Sequence, residues 1–144
     1  PERMVAWRDH VCTSLQDVVK ITTKAREEDG ARYLELTHSS GLALPAWLLS
    51  DGTLRFLALT ILPYIGLPPS LIIIENIEQS LHPYMIEPLL QSLTSIYDSQ
   101  VLCTSHSPVV QALTDTKSIL CFGIKNRFGV SIERCSEQPW MAIM

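Results

Sequence analysis

The segment Leu71-Ile-Ile-Ile-Glu-Asn-Ile-Glu-Gln-Ser-Leu-His-Pro83 holds four consecutive apolar residues, then a carboxylate, then a polar break. The apolar run is too short for a helix core and is β-branched, so it reads as a strand buried on both faces. Glu75 closes that strand, and ligands of open α/β sheets bind at the carboxyl ends of strands. Two other segments bracket it. Upstream lies Leu49-Ser-Asp-Gly-Thr-Leu-Arg-Phe-Leu-Ala-Leu59, and downstream lies Cys103-Thr-Ser-His-Ser-Pro108. Together the three point to nucleotide chemistry.

The rest of the chain supplies a frame for them. Residues 2–15 suit a helix with Met4, Val5, Val11, Cys12 and Leu15 near one face. Residues 17–24 and 31–38 read as a hairpin around the turn-forming cluster Glu27-Glu-Asp-Gly30, although Val18, Ile21 and Thr23 do not alternate cleanly. Residues 41–49 read as a loop. Ser50-Asp51-Gly52 opens a helix to about Tyr64, apolar nearly all round and so expected to be deeply buried, and Pro68-Pro69 ends the connection that follows it. A second helix spans 83–97, a strand 100–104, and a short helix starts near Pro108. Strands at 117–123 and 128–134 close the chain around a turn at Lys125-Asn126-Arg127. The strand–helix–strand–helix–strand order of the centre predicts a mainly parallel α/β layer with flanking helices and right-handed crossovers, with antiparallel strands at its edges.

Size and composition bound the function. The 144 residues are 47% hydrophobic and 18% charged, with a net charge of −4. Such a chain is globular, and its acidity argues against a broad nucleic-acid-binding face, so contact with DNA is expected only through other segments. Cys12, Cys103, Cys121 and Cys135 have neither C-x-x-C spacing nor clustered histidines. They read as reduced core residues of a cytoplasmic protein, with Cys103 and Cys121 inside apolar strand-like runs. No apolar stretch reaches the length of a membrane span.

Each of the three segments has a functional and an ordinary reading. A Ser-x-Gly start offers helix N-terminal amides to phosphate oxygens, or is simply a serine cap with a glycine turn. Glu75 can hold Mg²⁺ through water, or simply ends a strand. Glu78 could share that charge work. His106, in a Ser-His-Ser turn, can place an imidazole beside a phosphate or an attacking water, or be structural.

In order and spacing these segments resemble the second half of an ABC-type AAA ATPase domain, of the group related to OLD-family and RecF-like proteins, over roughly residues 30–125. Leu49 to Arg55 is similar to the signature motif, Leu71 to Pro83 to the Walker B strand and D-loop, and Thr104-Ser-His-Ser-Pro108 to the switch-histidine motif. The resemblance implies ATP and Mg²⁺ as cofactors and a P-loop NTPase fold, with residues 1–144 as the C-terminal part of one domain. It places Glu75 at the magnesium-directed position and His106 near the γ-phosphate. Ser50, Gly52 and Thr53 would touch the γ-phosphate held by a second copy, with Asp51 in the same nucleotide-facing segment. Ser80 and Leu81 would line the dimer seam, with His82 supporting the turn. DNA repair or anti-phage defence, with a nuclease-like effector elsewhere, is the implied setting.

Two departures qualify the match. Asn76 stands where the family carries its second carboxylate, and an amide cannot take a proton from water near neutral pH. Slow turnover, or binding without hydrolysis, follows. The sequence also contains no G-x-x-x-x-G-K-[ST] phosphate loop, which predicts a Walker A segment on missing polypeptide. A pseudo-ATPase scaffold is the alternative. A metal-dependent hydrolase built on Glu75, Glu78, His82 and His106 is a weaker third reading.

Overall fold

The computed structural model describes residues 2–66, 70–125 and 129–134, with the side chains of residues 124 and 125 excepted. The elements run α1 (Glu2–Ser14), β1 (Val18–Ala25), β2 (Arg32–His38), β3 (Ala43–Pro45), α2 (Asp51–Thr60), β4 (Leu71–Ile74), α3 (Pro83–Thr94), β5 (Gln100–Cys103), α4 (Pro108–Leu113), β6 (Leu120–Lys125) and β7 (Gly129–Arg134). The chain is an α/β protein, as its order of elements predicts.

The strands form three separate sheets among the described residues: antiparallel β1-β2-β3, the parallel pair β4-β5, and antiparallel β6-β7. The expected parallel layer is therefore cut to two strands, because β6 pairs with β7 and not with β5. The terminal hairpins form sheets of their own and do not extend that layer as edge strands.

The irregular pattern of β1 has a local cause. The β1–β2 register shifts between Val18 and Lys20. A bulge of this kind inserts one residue and reverses the alternation, so Val18 and Ile21, three apart, both reach the core. Residues 43–45 add a third strand where a loop was expected. Gly41, at φ 83°, turns the chain, and Ala43–Pro45 then pairs with Glu35–Thr37. Pro45 sits at the strand end, where its missing N–H costs no ladder bond.

Helix α2 ends at Thr60, short of Tyr64, and a 3-10 turn over Leu62–Tyr64 follows. Pro63 disfavours helical geometry in the residue before it. The helix is less enclosed than its composition predicts: Phe56, Leu57 and Thr60 are buried, whereas Leu54 and Ala58 are exposed. The core joins α1, α2 and α3 through one buried polar relay. Trp7 Nε1 donates to Thr60 Oγ1 at 3.2 Å, Thr60 Oγ1 donates to the Phe56 carbonyl at 2.8 Å, and Ser92 Oγ donates to the Thr60 carbonyl at 3.2 Å. Satisfying these groups lets Trp7 and Phe56 be fully buried, each contributing about 2–3 kcal/mol.

The acidic-tipped strand is not buried on both faces. Ile72 and Ile74 enter the core, while Leu71 and Ile73 are exposed, Ile73 to 70%. On β5, Leu102 and Cys103 are exposed as well, so the expectation of a core Cys103 fails with it. Among the described residues, helices cover only one side of this parallel pair, and Leu71, Ile73 and Leu102 on its other side are exposed. At the C-terminal end, Asp115 accepts from the Lys117 amide at 3.0 Å and turns residues 116–118 into a 3-10 helix, which delays β6 to Leu120. Pro68-Pro69, Asn126-Arg127 and Cys135 lie outside the described residues. Among the described residues no helix is long and apolar enough to cross a membrane.

Candidate nucleotide site

Ser50 is the N-cap of α2, and its hydroxyl accepts from the Thr53 amide at 3.1 Å. The Leu54 amide donates to the Ser50 carbonyl at 3.0 Å, and the two hydroxyls of Ser50 and Thr53 lie 2.9 Å apart. The ordinary capping role is thus realised. It takes up two amides of the first turn and leaves those of Asp51 and Gly52 as the remaining donors. Ser50 and Asp51 are exposed, Thr53 is half-buried and Gly52 is buried.

Gly52 is committed to a different neighbour from the one its sequence context predicts. A Cβ at this position would lie 2.1 Å from the Ser80 carbonyl oxygen. No side chain tolerates that approach, so glycine here lets helix α2 press against the backbone of residues 80–81. Ser80 itself holds φ 62°, in the left-handed region.

Two successive turns carry the chain from the strand tip to Ser80 and Leu81. The Gln79 amide donates to the Asn76 carbonyl at 2.9 Å, and the Leu81 amide to the Glu78 carbonyl at 3.0 Å. Asn76 sits at φ 47°, a conformation that asparagine tolerates better than most residues with a side chain. His82 is the N-cap residue of α3 without a side-chain bond, Pro83 follows at N1, and the His82 ring stacks on Tyr84 at 4.5 Å. That is a structural arrangement.

The strand tip is wired to both flanking segments. Arg55 Nη2 donates to the carbonyls of Glu75 and Asn76 at 2.9 and 3.0 Å. The Asn76 amide donates to Thr104 Oγ1 at 2.9 Å, and the Ile77 amide to the Thr104 carbonyl at 3.0 Å. The His106 amide donates to Glu78 Oε1 at 2.8 Å. Glu78 therefore folds back onto the histidine turn instead of projecting from the strand tip. Burial pushes its carboxyl up, but hydrogen bonds from the His106 amide, its own amide and Ser105, with the His106 charge nearby, hold it below the ordinary glutamate range. Glu75 and His106 are exposed.

Sequence reading alone misses Arg55, the one charged residue in the apolar run Leu54 to Leu59. A cation between Leu54 and Phe56 on a packed helix was the available signal. Three segments distant in sequence thus share one hydrogen-bonded cluster at the C-terminal edge of the β4-β5 pair. Among the described residues no group of three or more His, Cys, Asp or Glu side chains is placed to hold a metal ion, which removes the support for the four-residue hydrolase centre.

A family model described as "AAA domain, putative AbiEii toxin, Type IV TA system" matches residues 8–112. The chain belongs to this AAA domain family. The match runs from the middle of α1 through most of α4, and with it takes in all three motif segments. One solved structure, from work on ATP-driven dimerization and DNA-stimulated activation of SMC ATPases, superposes on this AAA domain with a TM-score of 0.75. Sequence identity is 14%, over 98% of this chain and 88% of that one. The fold is accordingly that of ABC-type ATPases. No curated protein matches the sequence.

Proposed function

We propose that this AAA domain is the part of an ATP-binding and ATP-hydrolysing unit that carries the signature, the acidic strand end and the switch histidine. It acts as a nucleotide-dependent pair of copies. The observation that carries this reading is the single cluster joining Arg55 of α2, the Glu75–Asn76 tip and the Thr104–His106 turn.

The residues fit the groups the family implies. Glu75 is an exposed single carboxylate at a strand end, and Mg²⁺ is commonly held by one or two carboxylates with water and phosphate oxygens completing its shell. When bound, Mg²⁺ neutralises charge that builds on the phosphate oxygens. Ser50, Thr53 and the Asp51 and Gly52 amides form the donor set at the α2 start that meets the γ-phosphate of the second copy. Gly52 also sets the height of the Ser80–Leu81 turn at the seam. His106 stands beside the γ-phosphate as donor. Asn76 orients the attacking water without taking its proton, so turnover is slow. The phosphate cradle comes from polypeptide outside these 144 residues.

The setting we favour is DNA repair or anti-phage defence, with an effector such as a nuclease on another segment or partner. The SMC ATPases of similar fold, described as dimerizing with ATP and activated by DNA, support the pairing. The scaffold reading draws on Asn76 and the missing phosphate loop. Full-length protein that binds no nucleotide would install it.

The deciding experiment is light scattering of the full-length protein with and without ATP, for wild type and Ser50→Asp. Aspartate also caps a helix, so folding is kept while a negative charge faces the phosphate. ATP should pair the wild type and leave the variant monomeric. ATP-driven pairing that survives in Ser50→Asp would overturn the assignment.

A further inference from the structure

We infer that Glu78 is a positioning residue that couples the Ser80–Leu81 turn to His106. This rests on the nucleotide site proposed above for its functional meaning, but not for its geometry.

Glu78 belongs to both segments at once. Its carbonyl accepts the Leu81 amide at 3.0 Å and so fixes the first residue of the turn that carries Ser80. Its carboxylate accepts the His106 amide at 2.8 Å across 28 residues of sequence. A carboxylate–amide bond is charge-assisted and stronger than a bond between neutral groups. The Ser105 hydroxyl, which also faces the Glu78 carboxylate, braces the histidine turn by accepting the Ser107 amide at 3.0 Å. Oε2 of Glu78 is buried and makes no hydrogen bond among the described residues. The half-buried carboxylate is thus turned onto the histidine turn, with one oxygen bonded and the other shielded.

The same turn is pressed from the other side by Gly52, whose position leaves no room for a Cβ against the Ser80 carbonyl. A push on Ser80, from helix α2 or from a second copy at the seam, is carried through the Glu78 backbone to its carboxylate and on to the His106 amide. Chains of packed and hydrogen-bonded groups of this kind carry coupling between sites. Glu78 supplies the link that neither the signature nor the histidine turn contains.

Hydrogen exchange on the full-length protein without nucleotide tests the geometry. Glu78→Asp retracts the carboxylate and Glu78→Ala removes it. Both should speed exchange at the His106 amide by about tenfold or more, while amides of α2 keep their protection. Glu78→Gln retains an acceptor oxygen and should stay within about threefold of wild type. Gly52→Ala should speed His106 exchange when Glu78 is present and change nothing further in the Glu78→Ala background. Unchanged His106 exchange in both Glu78→Asp and Glu78→Ala overturns the inference. So does a Gly52→Ala effect that persists without Glu78. With ATP, Glu78→Ala should lower kcat while KM stays near wild type, and Glu78→Gln should restore it. A wild type without turnover would count against the nucleotide reading alone, leaving the exchange results to decide the coupling.

Discussion

Arg55 and Glu75 are joined end to end: the guanidinium Nη2 donates to the Glu75 backbone carbonyl at 2.9 Å, with the Asn76 carbonyl sharing the same nitrogen at 3.0 Å. A side chain on helix α2 thereby fixes the height and orientation of the strand tip. Arg55 Nε is buried and unbonded among the described residues, so the cation is held by the carbonyls it meets. Arg55→Ala leaves two carbonyls without this donor, and stability should fall by about 1–3 kcal/mol. Thermal unfolding reads that loss. ATP turnover in the full-length protein should fall with it, since Glu75 shifts. A variant with wild-type melting and wild-type turnover would contradict the role given to Arg55.

Gly52 makes a sharper prediction. Gly52→Ala is ordinarily a favourable change in a helix, yet here the new methyl meets a backbone oxygen. Overpacking of this kind costs about 1–3 kcal/mol. Chemical denaturation should show a lower midpoint than wild type, with the reverse expected of an unobstructed helical glycine. A stabilised Gly52→Ala protein would show that α2 and residues 80–81 do not touch.

Asn76 carries two consequences that pull apart. On the proposed reading, replacing it with glutamate supplies a carboxylate able to take a proton from the attacking water, so turnover of the full-length protein should rise. Glutamate also tolerates φ 47° less well than asparagine, at a cost of about 1 kcal/mol. The expected Asn76→Glu protein is therefore faster and slightly less stable, and Asn76→Gly is slower without that loss of stability. Steady-state phosphate release and melting temperature separate the two effects. An unchanged rate in Asn76→Glu would remove the base assignment.

The Glu78 carboxylate sets a pH window. Its folded value lies below its ordinary value of about 4.5. A depressed carboxylate contributes stability that is complete above the unfolded value and vanishes as pH falls through the folded one. Wild type should therefore exceed Glu78→Gln in denaturant midpoint at pH 7. The difference should shrink as the pH drops below about 4.5. A gap that stays constant from pH 7 to pH 3 would mean that the carboxylate is not ionised against the His106 amide.

The isolated chain of residues 1–144 should bind ATP weakly or not measurably, because no phosphate loop is present to grip the β- and γ-phosphates. Equilibrium dialysis with labelled ATP tests this. Micromolar affinity would mean that the nucleotide lies elsewhere on the molecule.

Local signals were sufficient for much of the fold. The β-branched run 71–74, the capping serine at position 50 and the helical spacing of Met85, Ile86, Leu89 and Leu93 each encode their element through short-range sterics and periodicity, and all three formed. Short-range information also located the three segments that meet in one hydrogen-bonded cluster. It could not foresee the bulge at Val19 or the pairing of residues 43–45, because both depend on a partner strand. It also misjudged Leu71 and Ile73: an apolar strand reads the same whether one face or both are covered, and coverage belongs to neighbours distant in sequence. The contacts that unite the site are of that long-range kind. Arg55 to Glu75, Gly52 against Ser80 and Glu78 to His106 join residues separated by 20 to 28 positions. Only tertiary packing brings such groups within hydrogen-bond or van der Waals distance, since no local propensity acts over that span.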